Sequence, residues 1–290
     1  MKKYVLLGGA GYVAPKHYQA IRQTGGDLIA ILDPHDSVGV LDSFFPDCRY
    51  FSEFERFDRF CSGKDIDYTV VCSPNYLHDA HCRFGLRIGS DVICEKPLVL
   101  NERNLGGLIF QEATSANLRP GNTNRIWNIL QLRLSDVVEH VRQVIQITSS
   151  RDVLLEYSVS RGPWYDYSWK GDEEKSGGIL FNIGIHLFDL LLHLFGTYYK
   201  VSWWANHYDR FSEGFIRIGD FEVGVILKVT ETVKRQLSIG EETFDLSKGF
   251  TDLHVKSYSR ILMGDGFGIE DVRPAIKLCE ELRNKSGMAE

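Results

Sequence analysis

Four short runs in the first third of the chain are apolar almost throughout, and each ends abruptly in glycine or polar residues. Tyr4–Leu7 runs into Gly8-Gly9-Ala10-Gly11, and Asp27–Leu32 into Asp33-Pro34. Asp67–Cys72 runs into Ser73-Pro74-Asn75, and Asp91–Cys94 into Glu95-Lys96-Pro97. Strands without polar alternation are buried on both faces, which points to a parallel sheet. Helical stretches separate them, at about Ala14–Thr24, Leu77–Ile88 and Asn101–Thr114. The pattern predicts an α/β, doubly wound parallel sheet over residues 1–122. Such sheets bind ligands beyond the carboxyl ends of their strands. The glycines, Asp33, Ser73, Asn75, Glu95 and Lys96 all fall there.

The glycine turn Gly9-x-Gly11-x-x-Ala14 fits the dinucleotide fingerprint, with alanine in the last place. Close backbone approach lets a pyrophosphate sit on the amides and positive dipole of the following helix. Asp33 closes the next strand, where a carboxylate can accept both hydroxyls of an adenosine ribose. It would also repel a 2′-phosphate, which favours NAD over NADP. The competing reading of Asp33 is a turn residue before Pro34. Lys96 lies at the end of a buried strand, held extended by Pro97. There its amine can polarise a hydroxyl or bind a carboxylate; the alternative is a solvated lysine at a strand end.

Composition narrows the class. The chain has 290 residues, 43% hydrophobic and 25% charged, which excludes disordered and fibrous classes. Its net charge of −6 is the wrong sign for a nucleic-acid footprint. Six cysteines at 48, 61, 72, 82, 94 and 279 form no CxxC pair and read as free thiols of a reducing cytoplasm. The apolar stretch 176–199 contains Asn182, His186, Asp189 and His193, which argues against a membrane span.

From about residue 150 the pattern changes. Leu154–Ser160, Lys200–His207, Phe215–Ile218 and Phe221–Thr230 alternate or are rich in β-branched and aromatic residues, with a tight turn at Gly219-Asp220. Residues 123–290 therefore read as an α+β domain with an open, mostly antiparallel sheet. Two helices close it, at about Asp252–Met263 and Val272–Arg283. No element is assigned between Pro120 and Ser150.

One predicted helix, Ile179–Phe195, is apolar nearly all round and so should be buried. Its polar residues Asn182, His186, Asp189 and His193 fall on one narrow stripe at about 100° per residue. A solvent-facing stripe would carry Lys, Arg or Glu, and a structural hydrogen-bond network is a further alternative. As a site, the stripe offers His186 for proton exchange and Asp189 to orient it, with His193 further off in a structural part. A metal-dependent hydrolase built on His186, Asp189 and His193 is the rival from another class. It leaves the glycine turn, Asp33 and Lys96 unexplained. A non-catalytic NAD-binding sensor is a second rival.

Taken together, the glycine turn, Cys72-Ser73-Pro74-Asn75, Cys94-Glu95-Lys96-Pro97-Leu98 and Gly177-Gly178 leading to His186-Leu187-Phe188-Asp189 resemble the glucose-fructose oxidoreductase/inositol dehydrogenase (Gfo/Idh/MocA) family. Within it, several strings are similar to the bacterial UDP-N-acetylglucosaminuronate 3-dehydrogenases of O-antigen and lipopolysaccharide sugar synthesis. They are Asp36-Ser37-Val38-Gly39, Ser73–His81, Leu130–Leu134, Ser160–Tyr165 and Asn182–His186. The resemblance implies NAD in the first domain, with contacts from Gly9, Gly11, Tyr12, Val13, Asp33, Ser37, Ser73, Asn75, His78, Glu95 and Lys96. It implies a UDP-sugar uronate on the second domain, contacted by Gln131, Arg133, Arg161, Tyr165, Asn182 and His186 together with Lys96. Lys96 and His186 match catalytic positions, and Asp189 is read beside them as orienting the imidazole or stabilising its charged form. Many relatives carry Asp where this chain has Asn182, so Asn182 is read as binding substrate and His186 as the base. Arg133 and Arg161 suit a carboxylate or diphosphate, since guanidinium bonds to both in pairs. The resemblance also implies a homotetramer or homodimer formed through the open sheet, and 2-oxoglutarate as a reoxidant.

Overall fold

The computed structural model describes residues 1–115, 124–207, 210–247 and 252–285. The chain divides into two compact units. The first comprises Met1–Ile129 and His254–Val272, the second Leu130–Leu253 and Arg273–Glu290. The boundary expected at 122/123 lies outside the described residues. The return of residues 254–272 to the first unit is not foreshadowed in the local pattern.

The first unit is a six-stranded parallel sheet of order β3-β2-β1-β4-β5-β6. Its strands are β1 (Lys3–Leu7), β2 (Asp27–Leu32), β3 (Arg49–Phe51), β4 (Tyr68–Val71), β5 (Asp91–Cys94) and β6 (Ile126–Asn128). Helices α1 (Ala14–Gln23), α2 (Phe54–Cys61), α3 (His78–Arg87) and α4 (Glu102–Ser115) connect them. β1, β4 and β5 show the double-sided burial their composition demands: every residue from Tyr4 to Leu7, Tyr68 to Val71 and Asp91 to Cys94 is buried. The strand order reverses between β1 and β4, so the loops after those strands flank the switch point at which doubly wound sheets bind ligands. β3, α2 and β6 were not anticipated.

The second unit is a mixed six-stranded sheet of order β12-β11-β7-β10-β9-β8. It contains β7 (Asp152–Val159), β8 (Tyr199–His207), β9 (Phe211–Ile218), β10 (Phe221–Val229), β11 (Arg235–Ile239) and β12 (Glu242–Asp245). Only the central β7–β10 pair is parallel. The helices are α5 (Asp136–Ile147), the short α6 (Trp164–Tyr167) and α7 (Glu173–Ser176), and α8 (Ile185–Phe195). α9 (Leu253–Leu262) and α10 (Ile269–Asn284) close the chain. α8 covers one sheet face, with Phe188 against Trp204 and Phe195 against Phe221. The other face is open and leaves Leu154, Trp203 and Phe215 exposed.

The single helix expected over 179–195 begins differently. Leu180–Gly184 forms a π turn that runs directly into α8. By length and composition Glu173–Phe195 could cross a membrane, but 72% of its most apolar window is buried within the protein. It serves as the core helix of its unit.

Candidate active site

The crest of the first sheet is built around the glycine turn. Gly8 has φ +92°, and a Cβ there would lie 2.6 Å from the backbone of Cys72 and Ser73. Only glycine lets the loops after β1 and β4 meet so closely. Gly9 is confined less rigidly, since a Cβ would lie 2.6 Å from the end of the Ile31 side chain. Its carbonyl accepts from the Tyr18 hydroxyl at 2.6 Å. Pro15 sits in the first turn of α1, where its missing N–H costs nothing. Asp33 ends β2 and is buried. Its Oδ2 accepts from the Ala10 amide at 2.8 Å, and its Oδ1 from the His35 amide at 2.9 Å. Both readings of Asp33 therefore meet in one side chain: it organises the turn before His35 and ties the glycine turn to the end of β2. Each carboxylate oxygen keeps a second lone pair for a ligand hydroxyl. Backbone cradle and carboxylate together fit a dinucleotide.

The remaining crest residues differ in exposure. Ser73 and Asn75 are buried, and Ser73 Oγ is 2.8 Å from His81 Nδ1. Lys96 is half-buried, Tyr12 is 90% exposed and Ser37 is exposed. Val13 immediately precedes α1. His78 departs from its expected part as a cofactor contact. Its ring is buried, with both nitrogens on backbone carbonyls of Pro97 and Ser73.

Sequence reasoning missed the surroundings of Glu95. Its Oε1 accepts from His17 Nε2 at 3.1 Å and from His254 Nε2 at 2.9 Å, while the Tyr258 hydroxyl is 2.8 Å from His17 Nδ1. All four side chains are buried. Burial alone would raise the Glu95 pKa, but the bonds from His17 and His254 outweigh it and hold the carboxyl well below its usual range. Burial pushes the His17 pKa down, against the opposing pull of Glu95. A neutral ring that donates to Glu95 and accepts from Tyr258 satisfies every atom. His17, His254 and Glu95 also lie close enough to ligate a metal, but hydrogen bonds already account for their spacing. The available signal was a histidine on the buried face of α1, beside Ala14, Tyr18 and Ile21. Asn128, at the end of β6, was missed as well. Its amide donates to the Cys94 and Glu95 carbonyls, and its buried Oδ1 has no partner among the described residues. A surface cavity lined by Lys3, Asp27, Arg49 and Lys64 lies at the opposite, amino ends of the strands.

In the second unit the stripe residues lie along the core helix and its initial π turn. Asn182 and His186 are half-buried on a helix that is buried elsewhere except at His193 and Leu194. Asn182 Nδ2 donates to the Tyr165 hydroxyl at 3.1 Å. Gln131, on the 3-10 turn Gln131–Leu134, brings Nε2 to 3.5 Å from His186 Nε2, and its buried Oε1 has no partner among the described residues. A π turn at Asn182 fits the tendency of such turns to occur at functional sites. Arg133 departs from its expected part. Its Nε and Nη2 donate to Asp189 Oδ2 and Oδ1 at 2.9 and 2.7 Å, so the fork read for a substrate anion grips the protein's own carboxylate. Their side chains are 9% and 2% exposed. Arg161 is exposed, with its Nη1 on the Ser160 carbonyl. The metal triad fares badly: Arg133 covers both oxygens of Asp189, and Arg142 Nη2 lies 2.7 Å from His193 Nε2. Among the described residues, these three do not group as ligands.

Comparison with known proteins agrees with this geometry. Residues 2–113 match the oxidoreductase family model for the NAD-binding Rossmann fold, and residues 150–214 match its C-terminal alpha/beta domain. The WlbA (WbpB) dehydrogenase from Thermus thermophilus, solved with NAD and alpha-ketoglutarate, superposes with a TM-score of 0.89 at 36% identity. The match covers 98% of this chain and 95% of that one. The same enzyme was also solved with NAD and UDP-GlcNAcA, with a TM-score of 0.88 at 35% identity and the same coverage. A putative UDP-kanosamine synthase oxidoreductase subunit from Amycolatopsis mediterranei is 31% identical over 136 residues, which is 47% of this chain and 36% of that protein. The 2,7-anhydro-N-acetylneuraminate hydratase of Mediterraneibacter gnavus is 26% identical over 202 residues, 65% of this chain and 48% of that protein. The chain spans less than half the length of these two curated relatives.

Proposed function

Because the chain belongs to the Gfo/Idh/MocA oxidoreductase family and its first unit is an NAD-binding domain, we propose that it oxidises the 3-hydroxyl of UDP-N-acetylglucosaminuronate to the 3-keto sugar nucleotide. The observation that carries the chemistry is the stripe of the core helix, where Asn182 and His186 open a largely buried apolar surface beside Gln131 and Tyr165. NAD, when bound, supplies the hydride acceptor. His186 takes the hydroxyl proton, and Gln131 lies beside the imidazole. By likeness to the family Lys96 also takes a catalytic part, as a hydrogen-bond donor that favours alkoxide character in the reacting hydroxyl. Asn182, oriented by Tyr165, binds substrate. Asp189 acts with Arg133 to fix the turn that carries Gln131. The choice of sugar nucleotide and of 2-oxoglutarate as reoxidant is supported by the likeness to the Thermus enzyme, whose complexes contain UDP-GlcNAcA and alpha-ketoglutarate. A second copy covering the open sheet face at Leu154, Trp203 and Phe215 belongs to the same reading, as does a cytoplasmic setting.

Positioned proton transfer contributes about 10²–10⁴-fold to such reactions. His186→Asn is therefore expected to lower turnover by about that factor while NAD binding is retained. A variant that turns over at the wild-type rate removes His186 from the mechanism. UDP-N-acetylglucosamine, which lacks the acid, is the control substrate and should remain unoxidised.

A further inference from the structure

Two buried imidazoles of the first unit face opposite hydrogen-bonding problems. His17 has one acceptor, Glu95, and one donor, Tyr258, so a neutral ring suits it. His78 has two acceptors. Its Nδ1 lies 2.6 Å from the Pro97 carbonyl oxygen and its Nε2 lies 2.8 Å from the Ser73 carbonyl oxygen, in a residue 1% exposed. A backbone carbonyl has no proton to give. A neutral ring could donate to only one of them. Its other nitrogen would press a lone pair against a carbonyl oxygen where no water can intervene, and an unsatisfied buried polar contact is costly. Flipping the ring does not help. It would set C–H groups at these separations, well inside the roughly 3.3–3.6 Å of C–H···O contacts.

We propose that His78 is held as an imidazolium that donates from both ring nitrogens. This buried cation is a positioning residue that ties the loop after β4, with Ser73 and Asn75, to the turn after β5, with Glu95 and Lys96. Its catalytic meaning rests on the proposed dehydrogenase reading; its protonation state does not.

Several groups bear on the ring. Burial is the largest single influence and, with the Lys96 ammonium, draws the ring's pKa below its ordinary value. The two carbonyl bonds and the Glu95 carboxylate favour the cation. His81, one turn along α3, is pushed down to about 4 by burial, so it stays neutral and does not repel a charge on His78. The acceptor count decides the balance, because neither carbonyl can become a donor.

The test uses the whole protein, with histidine rings labelled with ¹⁵N and followed by NMR from about pH 6 to 8, the range in which an ordinary histidine titrates. One of the nine histidines should show two protonated ring nitrogens throughout, and that signal should vanish in His78→Gln. If the variant does not fold, neutron diffraction from unaltered protein crystallised near pH 7.5 should place a deuteron on each nitrogen of His78. A single proton on that ring, by either method, overturns the proposal. Stability gives an independent readout. A histidine whose folded pKa is raised stabilises fully below its unfolded value near 6.5 and loses that contribution as pH rises through the folded value. The margin of wild type over a folded His78→Gln should therefore shrink towards alkaline pH; a margin that grows contradicts the assignment. None of these readouts involves substrate, so failure of the dehydrogenase reading would leave them intact.

Discussion

Removing the negative charge of Asp189 should strike the second unit hard. The carboxylate is 2% exposed and accepts two short bonds from an Arg133 side chain that is itself 9% exposed. Asp189→Asn keeps the shape but leaves the guanidinium desolvated beside a neutral amide. Breaking one side of such a buried pair costs about 3–5 kcal/mol. Marginal stabilities are only about 5–15 kcal/mol, so this is a large fraction of the whole. Replacing both partners, as in Arg133→Met with Asp189→Leu, should recover most of the loss, because desolvated pairs gain little over apolar packing of similar volume. Urea unfolding followed by tryptophan fluorescence reports mainly on this unit, since Trp164, Trp169, Trp203 and Trp204 belong to it and only Trp127 to the other. At a slope of about 2–3 kcal/mol per molar, the single variant should lower the midpoint by about 1–2 M. A single-variant loss below about 1 kcal/mol, as surface pairs give, would refute the reasoning. So would a double variant as unstable as the single. The repacked double variant also separates stability from catalysis: if it folds but turns over slowly, the pair serves to place Gln131 beside His186.

Other outcomes follow from the first unit. Gly8→Ala should abolish NAD binding or folding, because the added Cβ meets the backbone of Cys72 and Ser73 at 2.6 Å and φ is +92°; NAD titration of any soluble variant checks this. Asp33→Ala should weaken NAD binding and narrow the preference for NAD over NADP, as it removes both the proposed ribose acceptor and the partner of the Ala10 amide; the ratio of the two dissociation constants is the readout. The Glu95 carboxyl is held below its ordinary value. Its stabilising contribution is thus complete above the unfolded pKa of about 4.3 and disappears as pH falls through the folded value. Acid titration of stability should be shallower in Glu95→Gln than in wild type.

Much of this arrangement was legible in the residues. Asp27–Leu32 and Asp91–Cys94 form strands over the very spans read from them, because runs buried on both faces leave an unmistakable apolar signature. Three-residue strands such as β3 and β6 are too short to show a period. Their existence depends on pairing with β2 and β5, which local sequence does not display. The stripe of α8 was visible by spacing alone, whereas the π turn at its start depends on tertiary packing. The partners were harder. Arg133 and Asp189 are 56 positions apart, and His254 meets Glu95 across 159. A guanidinium read from sequence as free to bind a ligand can equally be bound by the fold. His78 illustrates the same limit: its residue type suggested chemistry, and only the two carbonyls around it define a role.

The account is tested most directly by incubating the protein with NAD and UDP-N-acetylglucosaminuronate carrying deuterium at C3. Transfer of that deuterium to the nicotinamide ring, with formation of the 3-keto sugar nucleotide, is the predicted result. Retention of all deuterium at C3 by protein that binds both NAD and the sugar nucleotide would contradict it.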